Sequence, residues 1–133
     1  MSYGSSISLD IPFSEAVARV RTALAGQGFG VLTEIDVTAT FKAKLGEQIE
    51  DYVILGACNP PLAHRALAAD RSIGLLLPCN VVVRAAGAGS IVEALDPQIM
   101  ATLTGRPELK PVADEAARRL AAALADLTKG EEK

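Results

Sequence analysis

The sequence predicts an α+β domain: a two-layer sandwich with a mainly antiparallel sheet and helices on one face. Three observations point there. Short apolar runs with strand-like composition are separated by segments with helical periodicity, two late strands are joined by a glycine turn, and the chain closes on a long amphipathic stripe. At 133 residues it has the length of one ordinary domain, large enough to bury about two-thirds of its unfolded surface. A single domain over 1–133 is expected, with a core from about 7 to 128 and a loose tail from 129 to 133.

Ile7 and Leu9 alternate with Ser8 and Asp10, which reads as a first strand closed by Pro12. From Phe13, the apolar positions Val17, Val20 and Leu24 recur at helical steps until Gly28, a stop signal. Phe29 to Ile35 reads as the second strand. Asp36 and Thr38 then offer caps for a short helix with Phe41 and Leu45 on one face, Lys42 and Lys44 beside them, and Gly46 at its end.

Tyr52 to Ala57 is apolar without alternation, as a strand covered on both faces would be. Asn59 followed by Pro60 and Pro61 signals the start of a helix running to about Ala69, because Asn is a favoured cap and proline suits the first turn. Leu75 to Val83 is a further apolar run, in which Pro78 predicts a bend or an edge position. Ala86-Gly87-Ala88-Gly89 reads as a hairpin turn into Ser90 to Leu95. Asp96-Pro97 breaks that strand, a short helix follows through Met100 and Leu103, and Gly105-Arg106-Pro107 interrupts it. The final helix starts near Pro111 and places Val112, Ala116, Leu120, Leu124 and Leu127 on one side.

Composition narrows the function classes. The net charge is −3, and the 13 Lys and Arg residues are scattered, so there is no basic field to hold a phosphate backbone and nucleic-acid binding is not expected. No apolar run reaches bilayer length, and Met1 to Ser6 lacks a basic stretch leading into an apolar one. A cytoplasmic protein with no membrane partner is the expectation, and in that reducing compartment its two cysteines would be thiols.

Chemistry concentrates at those cysteines. Both sit in the same dipeptide, Cys58-Asn59 and Cys79-Asn80, each beside a proline at the edge of an apolar run. The four residues are the candidate ligand-binding set. Three uses are open: a small-ligand or metal-binding pocket, a thiol enzyme using Cys58 with His64 or Cys79, or packing alone. As a transition-metal site, zinc being the common case, Cys58 and Cys79 would take the only histidine, His64, and a fourth group such as Asp96. Position 58 precedes a helix start, which favours a thiolate, but Pro60 and Pro61 withhold two N–H donors and keep that effect moderate. Glu34 and Asp36 project to one face of their strand as an acid–base pair would, although Asp36 also suits a cap and Lys44 could pair with either. The Gly87 and Gly89 turn joins two strands and lacks the residues of a phosphate loop.

The blocks Gly28-Phe29-Gly30-Val31-Leu32-Thr33-Glu34-Ile35-Asp36, Lys44-Leu45-Gly46, Leu55-Gly56-Ala57-Cys58-Asn59-Pro60 and Gly74-Leu75-Leu76-Leu77-Pro78-Cys79-Asn80-Val81 occur in this order. Together they resemble the bacterial and archaeal family of domains of unknown function known as DUF302, over about residues 7 to 128. The resemblance implies a compact α+β fold, similar to a single copy of the TATA-binding-protein-like fold, and a homodimer. It implies no activity. A structural homodimer without a site is therefore a further expectation beside the pocket and the enzyme.

Overall fold

The computed structural model describes residues 3–131, in which five strands form one antiparallel sheet of order β1-β5-β4-β3-β2. The strands are β1 (Gly4–Leu9), β2 (Gly30–Asp36), β3 (Tyr52–Cys58), β4 (Cys79–Ala86) and β5 (Gly89–Leu95). The helices are α1 (Phe13–Gly26), α2 (Val37–Leu45), α3 (Pro60–Ala69), α4 (Gln98–Thr104) and α5 (Lys110–Glu131). The predicted two-layer α+β sandwich is what forms.

Consecutive strands β1 and β2 lie at opposite edges, so α1 must cross the whole sheet between them. It does so with Ala16, Val20 and Leu24 buried at helical spacing, and α5 packs beside it with Leu120, Ala123 and Leu127. Against these lie the inward residues of the central strands, Val53, Leu55 and Ala57 of β3, Val81 and Val83 of β4, and Val92 and Ala94 of β5. A second apolar cluster forms beyond the sheet's end. There Leu62 and Ala66 of α3, Ile73, Met100 of α4 and Leu109 pack on Val112, Ala113 and Ala116 in the first half of α5.

The local signals explain the boundaries. Asp36 Oδ1 accepts from Ala39 N at 2.9 Å to start α2, and Asn59 Oδ1 accepts from Leu62 N at 3.2 Å to start α3. Gly87, with φ of +60°, and Ala88 make the two-residue turn between β4 and β5, with the left-handed residue first as a type II′ hairpin requires.

Three expectations shift. The first strand begins at Gly4, since every residue from Gly4 to Leu9 pairs with β5. The apolar run through Pro78 is two elements, a 3-10 turn over Arg71–Leu76 and then β4, which is central between β3 and β5. Pro78 stands in a bend just before the strand, the first of the two positions expected for it, and so stays out of the ladder without an edge position. Finally, α5 continues to Glu131, past the point where the loose tail was expected, and residues 132 and 133 lie outside the described residues.

Among the described residues, no helix lies over the other face of the sheet. From the register it carries Thr33 and Ile35 of β2, Tyr52 and Ile54 of β3, Asn80, Val82 and Arg84 of β4, and Ile91, Glu93 and Leu95 of β5. At its edge, α2 buries none of its side chains, and Leu32 and Leu45 are each 67% exposed.

Leu55 is fully enclosed and Leu120 is 4% exposed, so truncation of either to Ala is expected to cost about 2–5 kcal/mol. Chemical denaturation of L55A and L120A measures this, and a loss below about 1 kcal/mol would contradict the assigned inward faces.

Candidate functional site

Cys58 is the last residue of β3 and Cys79 the first of β4. These strands are antiparallel neighbours in which Ala57 pairs with Cys79, so both cysteines sit at one end of the sheet, Cys79 in register on the helix-covered face and Cys58, one residue further on, in register on the other. Both are free. They line a cavity of about 20 Å³, close to the space of one water molecule, at the seam between the two apolar clusters. Phe29 and Ala57 close it from the sheet side, while Leu62, Ala66, Met100, Val112 and Ala116 close it from the helical side. Asn59 is the polar residue on its wall, and Asn59 is buried with its Oδ1 engaged in capping α3.

A wider cleft of about 220 Å³ shares the wall Leu77, Pro78, Cys79 and Met100 and opens past Asn80, Asp96 and Leu75, the last 89% exposed. Asp96 Oδ1 accepts from Gln98 N at 3.0 Å beside it.

The seam depends on two small-residue contacts. Gly28 has φ of +83°, and a Cβ placed there would come within 2.9 Å of Arg119 Nη1 and 3.0 Å of Asn59 Nδ2. The missing side chain thus lets Arg119 and Asn59 close on the backbone. From α5, Arg119 donates to Gln27 O at 3.1 Å and to Glu115 Oε2 at 2.7 Å. Hydrogen bonds from Arg118 and then Arg119 hold the Glu115 carboxyl down at about 2. On the opposite face of the sheet, a Cβ on Gly56 would overlap Thr33 Oγ1 and lie 2.8 Å from Pro78 Cγ, so glycine is what lets Pro78 lie across β3.

The sequence-predicted residues divide. Cys58, Asn59 and Cys79 share the cavity, but Asn80 does not line it. Asn80 pairs with Gly56 on the uncovered face, where it borders a groove of about 200 Å³ with Tyr3, Tyr52 and Glu93. Strand alternation is the reason, because successive side chains point to opposite faces. His64 is exposed on α3 and is not on the cavity wall. Among the described residues no three His, Cys, Asp or Glu side chains converge as a metal-holding group, so Cys58, Cys79 and His64 do not make the expected zinc set. Helix periodicity explains this, since Leu62 and Ala66 take the inward positions of α3 and turn His64 away. Glu34 and Asp36 do share a face, but Asp36 caps α2 and Glu34 pairs with Arg21 at 2.6 Å, which leaves no acid–base couple there.

Burial sets the state of the thiols. It pushes Cys58 upward, and it pushes Cys79 up to about 11 with the neighbouring charge of Cys58 adding to the rise. Sequence reasoning missed Met100, which reaches this wall from α4; its only signal was an apolar position in a short predicted helix.

Residues 5–127 match the family described as "Domain of unknown function DUF302". The chain belongs to the DUF302 family. Its fold is similar to that of the crystal structure of an uncharacterized conserved DUF302 protein from Bacillus stearothermophilus, at 29% identity and a TM-score of 0.86, covering 94% of this chain and 98% of that one. No curated protein matches the chain. No helix among the described residues of this DUF302 chain is long and apolar enough to cross a membrane.

With both thiols raised above their ordinary value of 9.0, alkylation by iodoacetamide is expected to be slow at neutral pH and still accelerating above about pH 9. Rates measured across that range on each single Cys→Ser variant test this. A Cys58 rate already at its plateau near neutrality would mean a stabilised thiolate.

Proposed function

We propose that this DUF302 chain is a binding module whose site is the seam cavity and the cleft beside it, taking a metal ion or a small ligand against Cys58 and Cys79. The observation that carries the reading is that two cysteines from different strands line one small apolar cavity that a second, wider cleft adjoins. An enzyme reading is weaker on the same grounds. A nucleophilic cysteine needs a thiolate and a nearby base, whereas burial keeps both thiols protonated and His64 faces solvent. Two persistent thiols also suit a reducing, cytoplasmic compartment.

Native mass spectrometry of the purified protein, compared with its denatured mass, tests the reading. The wild type is expected to carry a bound species that the Cys58→Ser, Cys79→Ser double variant lacks while its circular dichroism stays native. A bound species retained by the double variant would place the site elsewhere.

We propose further that the chain is a homodimer through the uncovered sheet face. Of the strand residues on that face only Arg84 and Glu93 are charged, and they pair with each other at 3.1 Å, so the face has no net charge to repel a second copy. Around the pair lie Ile35, Ile54, Val82 and Ile91, an apolar patch suited to a two-fold contact. Light scattering is expected to give twice the chain mass for the wild type and the chain mass for Ile54→Lys. A wild type that is monomeric at every concentration rules the dimer out.

A further inference from the structure

The cleft of about 220 Å³ beside the seam combines a hydrocarbon wall with one formal charge. Leu76 and Leu77 ahead of β4 and Ile99 and Met100 of α4 supply the hydrocarbon, and Asp96 supplies the charge with Asn80 beside it. No Lys, Arg or His lines it. The sheet places the carboxylate. Continuing the register that pairs Val81 with Ala94 sets Asp96 level with Cys79, on the face that the helices cover, and its backbone N–H donates to Tyr3 O at 2.9 Å. Asp96 is half-buried, and its Oδ1 accepts from Gln98 N at 3.0 Å. Among the described residues no cation pairs with this carboxylate, and the side-chain amide of Asn80 makes no hydrogen bond.

That lining selects a guest. An anion would meet a carboxylate and no positive side chain. A hard metal ion takes about six to eight oxygen ligands, and one carboxylate and one amide fall far short of that. A neutral apolar molecule would cover the leucines and leave a half-buried charge without a partner, which is costly. An apolar body with one cationic end satisfies both parts of the wall. The space is smaller than the roughly 300–1,000 Å³ of sites for drug-sized ligands, so the body is short. We infer that the cleft binds a small primary alkylamine, its hydrocarbon against Leu76, Leu77, Ile99 and Met100 and its ammonium on the Asp96 carboxylate beside the Asn80 amide. This rests on the small-ligand half of the reading above and names the class of ligand.

The two ends of such a ligand contribute separately. Each methylene buried on the apolar wall is worth about fourfold in affinity. A charge-assisted hydrogen bond between the ammonium and the carboxylate is worth about tenfold or more. An ammonium has three donors, which match the second carboxylate oxygen of Asp96, the carbonyl oxygen of the Asn80 amide, and water at the open side. No proton or electron changes hands, since both charged groups already exist at neutral pH.

The test titrates the full chain with propylamine, butylamine and pentylamine at neutral pH and fixed ionic strength, with pentanol and pentanoate as the neutral and anionic counterparts, and follows amide chemical shifts by NMR. Affinity is expected to rise about fourfold per methylene and to fall in the order amine, alcohol, carboxylate, with the signals of Leu75, Asn80 and Ile99 moving most. Asp96→Asn keeps an acceptor for Gln98 N and removes the charge, so it should weaken pentylamine by about tenfold or more and leave pentanol unchanged. Ile99→Trp, which puts bulk into the cleft, should abolish binding of both while circular dichroism stays native. Equal affinity for pentylamine and pentanol, full amine affinity in Asp96→Asn, or shifts confined to another part of the chain would overturn the inference. Amine binding that is unchanged in the Cys58→Ser, Cys79→Ser variant upholds the cleft and takes the cysteines out of the ligand site. A wild type that ignores every amine yet carries a bound species in its native mass spectrum removes the amine class and leaves the module reading standing, whereas neither signal removes both.

Discussion

The constraint on which the rest of the molecule depends is the length of α5. A helix of 22 residues spans about 33 Å, more than the sheet alone can cover, and its apolar stripe is used twice. Val112, Ala113 and Ala116 serve the helical cluster, while Leu120, Ala123 and Leu127 serve the sheet. Glu115 and Arg119 occupy the changeover, where Arg119 ties α5 to the end of α1 through Gln27 O. Two small cores on one rod must meet somewhere. They meet at Cys58, Cys79 and Met100, and the imperfect fit of small side chains such as Ala57, Ala66 and Ala116 leaves the cavity.

This arrangement explains how two cysteines can share a site while remaining poor nucleophiles. The strand ends bring them near one another, and burial, deep at Cys79 and partial at Cys58, disfavours the thiolate at each. The double proline at the start of α3 withholds two N–H groups as well. Proximity and burial here work in opposite directions for reactivity but in the same direction for holding a guest.

Much of the fold was legible in the sequence because local signals and long-range packing agreed. The Asn59-Pro60-Pro61 start of α3, the glycine hairpin after β4 and the stripe of α5 all appear where their residues predicted. The site was legible only in part. Cys58 and Cys79 could be placed together because each sits at a strand end, yet the two-residue period of a strand turns Asn80 to the face opposite Cys79. Met100 carries no signal of its own, since an apolar residue in a short helix looks the same whether it fills a core or faces a cavity. At Pro78 the bend was legible and only the choice between a bend and an edge strand was not, because a proline beside a strand and a proline within an edge strand read alike until the pairing is known.

The edge formed by β2 and α2 has a consequence for how solvent reaches the seam. With no buried side chain in α2 and almost none in β2, this segment is held chiefly by its ladder to β3 and by Thr38, whose hydroxyl donates to Glu50 O and accepts from Tyr52 N. Segments that bury so little separate from a domain at a fraction of its global unfolding free energy. Because Gly30 pairs with Cys58, each such excursion bares the backbone at one wall of the cavity while both apolar clusters stay intact. Exposure of the backbone at Gly30 and Cys58 is thereby tied to breathing of the outermost strand and not to the stability of the whole protein.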